Sequence, residues 1–152
     1  MAHETQTLAQ RVVSALLRDD HATLMLGMAV VSVDAGAACI EMTVRRDMLN
    51  GHMACHGGIL FALADTAFAC ACNSRNQRAV TAGANIDFLR RAAEGDILRA
   101  TAVELSAGRR LSVYDVNITN QLGETVAVFR GKSCSISGTV IDQEPAAQDA
   151  TG

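Results

Sequence analysis

Residues 57–72, GGILFALADTAFACAC, constrain the fold more than any other stretch of the chain. They are rich in Ala and Leu, contain no proline and begin with two glycines, which predicts a helix. Because nearly every face of that helix is apolar, we expect it to be buried. Asp65 is its one charged residue, and an ionised carboxylate in apolar surroundings is costly unless it is paired or solvated at a cleft. Asp65 therefore either has a structural partner or belongs to a functional site.

Strand-like segments flank this helix on both sides. In chain order the sequence predicts a helix over 4–19, a connection with room for one helical turn, strands over 29–34 and 39–45, the central helix, and strands over 79–89, 96–105, 110–120 and 124–136. Apolar residues recur at helical spacing in the first segment and alternate in most of the strands. Long antiparallel strands with one central helix must curl around that helix to bury it. The prediction is an α+β fold with a curved antiparallel β-sheet wrapped around a long central helix.

The length of 152 residues predicts one folded domain. Within it we distinguish an N-terminal helix over 1–23, the central helix with its sheet over 24–138, and a C-terminal tail over 139–152. The tail is polar and Ala-rich and contains the only proline, Pro145. We expect the tail to be flexible.

Two of the later strands carry more specific expectations. In the last strand, period-two alternation places Val126, Val128, Arg130 and Lys132 on one face. In the strand before it, the apolar residues change phase between residues 113 and 116. A bulge, or burial of both faces, would explain that change.

Composition and charge exclude several classes of protein. A net charge of −3 argues against nucleic-acid binding, which usually requires a basic surface. The first residues are polar and show no signal-peptide pattern, and no apolar run reaches the roughly 20 residues of a membrane span. The pair Cys70 and Cys72 lacks the spacing of a redox or zinc motif, which indicates buried structural thiols. We expect a cytoplasmic protein with five reduced cysteines.

The segment before the central helix, NGHMACHGG over 50–58, has the composition of an anion-binding turn. A helix N-terminus offers unpaired backbone N–H groups and a partial positive charge, and glycine lets a ligand approach closely. This pattern suits the oxyanion of an acyl-transfer intermediate; the alternative is a simple glycine turn. His52, Cys55 and His56 lack further ligands at zinc-like spacing, so we expect no metal. We expect His56 to hold the turn or line a pocket.

The distance between Gly57 and Asp65 along the helix leads to a prediction about assembly. Eight residues at 1.5 Å each separate them by about 12 Å. One helix cannot easily bring both groups to one substrate carbon, whereas two antiparallel copies related by a twofold axis can. Twofold dimers are the commonest oligomers. If Asp65 is functional, we expect two composite sites at a dimer interface.

Five motifs at these positions resemble the hotdog-fold acyl-CoA thioesterases of phenylacetate degradation. The resemblance spans residues 24–138 and is carried by MLNGH at 48–52, CHGG at 55–58, LADTAFA at 63–69, IDFLR at 86–90 and FRGKS at 129–133. It implies a hotdog fold, dimers that often pair into homotetramers, and hydrolysis of phenylacetyl-CoA or hydroxyphenylacetyl-CoA to the free acid and CoA. We expect neither a metal nor a redox cofactor.

The resemblance also implies roles for individual residues. Asp65 would be the catalytic carboxylate, and the Gly57 N–H would polarise the thioester carbonyl. Asn50 would orient that carbonyl or the attacking water, while His56 and Gly58 would lie against the substrate. Whether Asp65 attacks the thioester or activates water stays open, because both roles need an ionised carboxylate near the carbonyl. The serines do not form the Gly-x-Ser-x-Gly pattern of a nucleophile elbow.

Substrate-binding residues are predicted less closely than catalytic ones. The acyl pocket is expected to draw on Phe61, Leu60, Phe68 or Met48. The phosphates of CoA require basic side chains, and Arg130 and Lys132 are candidates because they share a strand face. Other candidates are Arg90, Arg91, Arg109 and Arg110.

Two other functions are compatible with these motifs. A non-catalytic module that binds acyl-CoA would use the same fold without turnover, although no DNA-binding segment accompanies the domain. A hotdog enoyl-CoA hydratase or dehydratase would need an Asp and a His in one local motif, whereas His56 and Asp65 are nine residues apart. The acyl group and the choice between dimer and tetramer stay open.

Overall fold

Six strands and three α-helices make up residues 4–143, the part of the chain that this computed structural model describes. The elements in chain order are α1 (Leu8–Leu17), α2 (His21–Met25), β1 (Ala29–Asp34), β2 (Ala37–Thr43), a 3₁₀ turn (Arg46–Met48), α3 (Gly57–Asn73), β3 (Ala79–Phe88), β4 (Ile97–Ala107), β5 (Leu111–Thr119) and β6 (Thr125–Ser135). No helix among the described residues is long and apolar enough to cross a membrane.

The strands form one antiparallel sheet in the order β1-β2-β4-β5-β6-β3. Helix α3 contacts all six strands, so the sheet wraps around it. Strands β1 and β3 are the two edges of the sheet. The predicted hotdog architecture, a long central helix inside an antiparallel sheet, is confirmed.

Helix α3 is buried on most of its circumference. Leu63, Ala67, Phe68 and Cys70 are completely inaccessible and pack in the core between helix and sheet. Phe68 contacts the rings of Tyr114 and Phe129 from β5 and β6, with centroids 5.5 and 5.8 Å apart. The buried helix predicted from the sequence therefore fills the core.

One stripe of α3 is not covered by the chain's own sheet. Its members are spaced alternately by four and three residues, carry small or short side chains, and are at least partly accessible; we call Gly58, Ala62, Asp65, Ala69 and Cys72 the open face of α3. Spacing of this kind places side chains on one face of a helix. The single charge of the helix thus lies at the centre of its accessible face.

The N-terminal helices pack beside α3. Helix α1 begins at Leu8 rather than near residue 4, because Thr7 caps it and forms a reciprocal capping box with Gln10. Its buried face contacts β1 and α3. The predicted helical turn after it is α2, whose N-cap Asp20 accepts from the Thr23 N–H through its side chain.

Two bulges change which face particular residues occupy. The prediction that Val126 lies beside Val128, Arg130 and Lys132 is wrong, because Val126 is fully buried while the other three are exposed. The β5–β6 register shifts beside Val126, which inverts the alternation there. The bulge or double burial expected within β5 is not found: β5 pairs with β6 without a shift from Leu111 to Ile118, and Leu111 and Val113 lie on the side opposite the buried Tyr114. The bulge lies in the neighbouring strand β4, between residues 104 and 106.

The predicted C-terminal tail over 139–152 lies only partly within the described residues. Asn76, in the left-handed region at φ 64°, accepts from the N–H groups of Val140 and Ile141 through its side-chain oxygen. Its amide also donates to the Ile141 carbonyl. Residues 144–152 lie outside the described part, and the domain boundaries at 23 and 138 stay predictions.

All five cysteines are free. Burial raises the pKa of both Cys70 and Cys72 to about 12 and that of Cys55 to about 11. A thiol with such a pKa is protonated near neutral pH and unreactive. Cys70 is fully buried and Cys72 is half-buried on the open face of α3.

Candidate active site

The loop before α3 is shaped by Asn50. Its side-chain oxygen accepts from the N–H groups of His52, at 2.9 Å, and Ala54, at 3.2 Å. These bonds close a tight turn in which Met53 takes a left-handed φ of 59°. The Asn50 side-chain amide nitrogen donates to no other described residue. The side-chain oxygen of Asn50 therefore stabilises the loop, while its side-chain amide nitrogen stays available as a donor.

The first turn of α3 leaves one backbone donor unpaired. His56 is the N-cap, and its Nδ1 accepts from the Gly58 N–H at 2.9 Å. The N–H groups of Ile59 and Leu60 both point to the His56 carbonyl, at 2.9 and 3.1 Å. The Gly57 N–H has no hydrogen-bond acceptor among the described residues. Gly57 and Gly58, which the sequence places together, thus differ: only the Gly57 N–H is available to a ligand.

A cavity of about 370 Å³ lies at this end of the helix. Asn50, Gly57 and Leu60 line it from the loop and helix. The last residue of β3, Phe88, and the segment after that strand complete the lining with Leu89, Arg90, Arg91 and Ala92. A Cβ added at Gly57 would lie 3.0 Å from Cζ of Phe88. Glycine at position 57 therefore allows the Phe88 ring to approach the backbone closely.

Asp65 lies two helical turns further along α3. Its Oδ1 accepts from the Thr81 hydroxyl of β3 at 3.3 Å, and no Arg, Lys or His of residues 4–143 forms an ion pair with it. Burial raises the pKa of Asp65; the Thr81 hydroxyl partly opposes that shift, and the negative charge of Asp20 adds to it. A half-buried carboxylate without a counter-ion fits a functional site better than a structural ion pair.

The predicted site residues fall into separate places in one subunit. Asn50, His56, Gly57 and Gly58 lie together at the start of α3, while Asp65 lies on the open face of that helix. The 370 Å³ cavity is not lined by Asp65. The two chemically important groups are therefore on one rigid helix but not at one cavity.

The other predicted binding residues lie elsewhere. Phe61 packs edge-on against Phe129, with centroids 5.4 Å apart. Arg130 binds both carboxylate oxygens of Asp115, at 2.7 and 2.9 Å, on the outer face of the sheet. It lines a second cavity of about 470 Å³ there, and Lys132 is exposed on the same face. Leu60 lines the Gly57 cavity, whereas Met48 and Phe68 belong to the core.

Thr81 is a site residue that the sequence did not predict. Period two from Ile86 places position 81 on the outer face with Asn85. A register shift between Thr81 and Gly83 reverses this, so that Thr81 pairs with the buried Ser133 and faces α3. The signal that could have found it is the glycine inside the strand, since such glycines often mark bulges.

Known proteins match this chain over most of its length. Residues 52–127 match the family described as the thioesterase superfamily. The acyl-coenzyme A thioesterase PaaI of Escherichia coli (strain K12) is 51% identical over 126 residues, which are 83% of this chain and 90% of that protein.

Two solved structures are also similar. The E. coli PaaI protein from the phenylacetic acid degradation operon has a TM-score of 0.86 and 49% identity, over 87% of this chain and 96% of that one. A mutant of the phenylacetic acid degradation protein PaaI from Thermus thermophilus has a TM-score of 0.74 and 37% identity, over 77% and 100%. The resemblance indicated by the sequence motifs is confirmed. This chain belongs to the thioesterase superfamily.

Proposed function

We propose that this protein is an acyl-CoA thioesterase that hydrolyses phenylacetyl-CoA or hydroxyphenylacetyl-CoA to the free acid and CoA. One observation supports the proposal: within residues 4–143, the same buried helix presents a Gly57 N–H without an acceptor and an Asp65 carboxylate without a counter-ion. The first group stabilises negative charge on a carbonyl oxygen, and the second supplies a base or nucleophile. The phenylacetic acid degradation context of its relatives suggests the acyl group.

In this mechanism the thioester oxygen accepts from the Gly57 N–H at the positive end of the α3 dipole. Asp65 either removes a proton from a water that attacks the carbonyl carbon, or attacks that carbon itself to form an anhydride that water then cleaves. In both routes the C–S bond breaks, water supplies the new C–O bond, and CoA leaves as a thiolate that takes up a proton. The unpaired Asn50 amide nitrogen fits a role in orienting the carbonyl or the water.

The proposal includes a dimer with two composite sites. Among the described residues β3 is an edge of the sheet, and a second copy of the strand would pair with the backbone groups on its outer side and extend the sheet. Such pairing would set the open faces of two antiparallel α3 helices against each other. Gly57 of one subunit would then approach Asp65 of the other. We also propose that two such dimers pair into a tetramer. The proposed location of the protein is the cytoplasm.

The surface around the Gly57 cavity suits the CoA portion of the substrate. Phe88 is 54% exposed and Leu89 61%, which offers an apolar surface to the pantetheine chain. Arg90 and Arg91 line the same cavity, and Arg91 is held by a 2.9 Å bond from Nη2 to the Met53 carbonyl. We propose these two arginines as the first phosphate ligands to test, because they line this cavity. Arg90 has a loose ion pair with Glu124, at 3.7 Å, whereas Arg130 is held by Asp115 at 2.7 Å on the outer face of the sheet. Lys132, Arg109 and Arg110 do not line this cavity.

Steady-state hydrolysis of phenylacetyl-CoA by the wild type and by Asp65→Ala tests the function. We expect the variant to lose activity by about 10²–10⁴-fold. A protein-only blank corrects for cysteines that react with a thiol-detecting reagent. Wild-type activity in the variant would contradict the catalytic role of Asp65. Tight binding of phenylacetyl-CoA by the wild type without turnover would instead identify a non-catalytic module, and a panel of aryl and aliphatic CoA thioesters fixes the acyl preference.

A further inference from the structure

Helix α3 contacts the edge strand β3 near both of its candidate catalytic groups. A Cβ at Gly57 would lie 3.0 Å from Cζ of Phe88, the last residue of β3, and Asp65 accepts a 3.3 Å hydrogen bond from Thr81 near the start of that strand. Phe88 and Thr81 therefore both face α3. If Gly57 of one subunit approaches Asp65 of another, Phe88 of the first subunit also approaches Thr81 of the second. The composite site thus constrains how two β3 strands can pair.

Asn85 lies midway between these two contacts along β3. The bulge between Thr81 and Gly83 makes Ala82 an extra residue in the strand. Three residue steps lead from Phe88 to Asn85, and three more lead from Asn85 to Thr81 when Ala82 is left out. When a strand pairs antiparallel with its own copy, the residue at the midpoint of the pairing lies opposite itself.

We propose that two subunits pair through their β3 strands in the register that places Asn85 opposite Asn85 of the partner subunit, on the twofold axis. This inference rests on the proposed function, because the composite site is what brings the two ends of β3 together. It adds the residue at the axis and hence the neighbours along the interface. Ile86 lies opposite Ala84, and Asp87 lies opposite Gly83.

The backbone hydrogen bonds of β3 agree with this register. The Leu89 N–H donates to the Val126 carbonyl of β6 at 2.8 Å, and at the other end of β3 the Arg78 carbonyl accepts from the Ile136 N–H at 2.8 Å. Backbone groups of successive residues point to opposite sides of a strand. Those of residues 84, 86 and 88, and of residue 81 beyond the bulge, therefore point to the free edge. These are the residues that the register sets in pairs, 88 with 81 and 86 with 84, so donors of one strand meet acceptors of the other.

The side chains of β3 also suit pairing with a second copy. Residues 79–86 include neither a charged residue nor a proline, which commonly protect an exposed edge strand. The Asn85 side chain forms no hydrogen bond with another residue of 4–143, and its amide carries both a donor and an acceptor for its own copy. Asp87 faces Gly83, which has no side chain. An axis two residues further along would set Asp87 against its own copy, which like charges disfavour.

This register brings two cavities of different subunits together at the substrate site. The segment after Phe88 lines the 370 Å³ cavity beside Gly57. In the dimer it lies next to Ala79 and Val80 of the partner subunit, and these two positions line a cavity of about 710 Å³. The charged residues of that second cavity are Asp19, Asp20 and Arg78. The partner thus contributes a cavity wall to the site in addition to its carboxylate.

Disulfide trapping of Asn85→Cys tests the register. The backbone groups of residue 85 point to β6, so residue 85 and its copy form a non-hydrogen-bonded pair with Cα atoms about 4.5 Å apart, which a disulfide can span. We expect mild oxidation to convert most of this variant to a covalent dimer on a non-reducing gel, and mass spectrometry to find position 85 joined to position 85. Wild type oxidised in the same way accounts for its five free cysteines.

Asp87→Cys is the matched control on the same face of the same strand. Position 87 lies about 14 Å from its own copy in this register, so the single variant should not be linked through position 87. The double variant Gly83→Cys/Asp87→Cys places two cysteines opposite each other and should be linked between positions 83 and 87, which gives a second trap independent of Asn85.

Linkage at position 85 and in the double variant, without linkage in Asp87→Cys, supports the register. Absence of both linkages, or linkage of position 87 to its own copy, overturns it. These results do not depend on turnover. An enzyme that loses hydrolysis in Asp65→Ala but is not trapped keeps its proposed function and contradicts the register, whereas a trapped dimer that hydrolyses no CoA thioester keeps the register and contradicts the function.

Discussion

At the N-terminus of α3, the Gly58 N–H is used by the helix cap, whereas the Gly57 N–H is available to a ligand. His56 satisfies the Gly58 N–H and accepts the next two with its carbonyl, which leaves the Gly57 N–H unpaired among the described residues. At Gly57 a side chain would meet Phe88, and at Gly58 it would lie 3.1 Å from Nδ1 of the cap. Both glycines therefore lie close to a neighbouring side chain, but only Gly57 presents a donor.

The N–H at position 57 can be removed without breaking the helix. Gly57 is the first helical residue, where proline is well tolerated, and the extended His56 (ψ 134°) is compatible with a following proline. We expect Gly57→Pro to lower kcat by about 10²–10³-fold through loss of the oxyanion donor. Gly57→Ala adds a similar Cβ against Phe88 but keeps the N–H, and its kcat should remain much higher. Equal kcat values in the two variants would remove Gly57 from the mechanism.

Thr81 should lower the pKa of Asp65. Its hydroxyl donates to the carboxylate and so favours the ionised form. Thr81→Val removes that bond at nearly constant volume, which raises the pKa of Asp65 and moves the acid limb of kcat/KM to higher pH by roughly 0.3–1 unit. Ser133→Ala, which removes the hydroxyl opposite Thr81 in the strand pair, serves as the control. A shift to lower pH in Thr81→Val would show that the bond does not act on the ionised carboxylate.

Among the elements, the helical structure and burial of α3 follow from its own sequence, whereas the face that a strand residue occupies depends on the register of its strand. An Ala- and Leu-rich segment without proline is a helix in almost any packing, and its apolar circumference requires burial. Which face a strand residue occupies depends instead on bulges, as Val126 and Thr81 show. One inserted residue inverts the alternation between the two sides of a bulge. Thr81 and Ile86 lie on opposite sides of the β3 bulge, so Thr81 could not be placed beside Asp65 from periodicity.

The cap of α3 gives a stability prediction. His56→Ala removes the Nδ1 acceptor of the Gly58 N–H, and we expect a loss of about 1 kcal/mol in the free energy of unfolding, or roughly 2–4 °C in Tm. His56→Asn should restore Tm because Asn is a strong N-cap. His52→Ala, at an exposed position in the same loop, is the matched control and should leave Tm unchanged. If His56→Asn restores Tm but not activity, His56 contacts the substrate in addition to capping the helix.

At the scale of the whole molecule, the composite site that we propose follows from the separation of Gly57 from Asp65 along one helix. The spacing is fixed by helix geometry, and the sequence alone was sufficient to predict it. The hydrogen-bond and ion-pair partners of each side chain were not predictable from the sequence, because they depend on which residues are neighbours in the folded structure. The side-chain oxygen of Asn50 accepts a hydrogen bond within its own loop, and Arg130 forms an ion pair with Asp115 on the neighbouring strand.

Mixing two inactive variants tests the composite site directly. In a mixed dimer of Asp65→Ala and Gly57→Pro subunits, one site combines the intact Gly57 and the intact Asp65, and the other has neither. Random pairing makes half of the dimers mixed, so we expect about one quarter of wild-type activity to return after co-refolding. Light scattering confirms the assembly. No recovery, or activity in a species that scatters as a monomer, would place the site within one subunit.

The open face of α3 has a consequence for how substrate range could change. Its residues around Asp65 are Gly58, Ala62, Ala69 and Cys72, spaced alternately by four and three like the seam of a coiled coil. If a partner helix lies against this seam, the bulk of Ala62 and Ala69 sets the gap between the helices. The same gap sets the width of the cleft from Asp65 to the opposite Gly57. Substitutions of these two alanines, which need not contact the substrate, could then change the size of the acyl group that the cleft accepts.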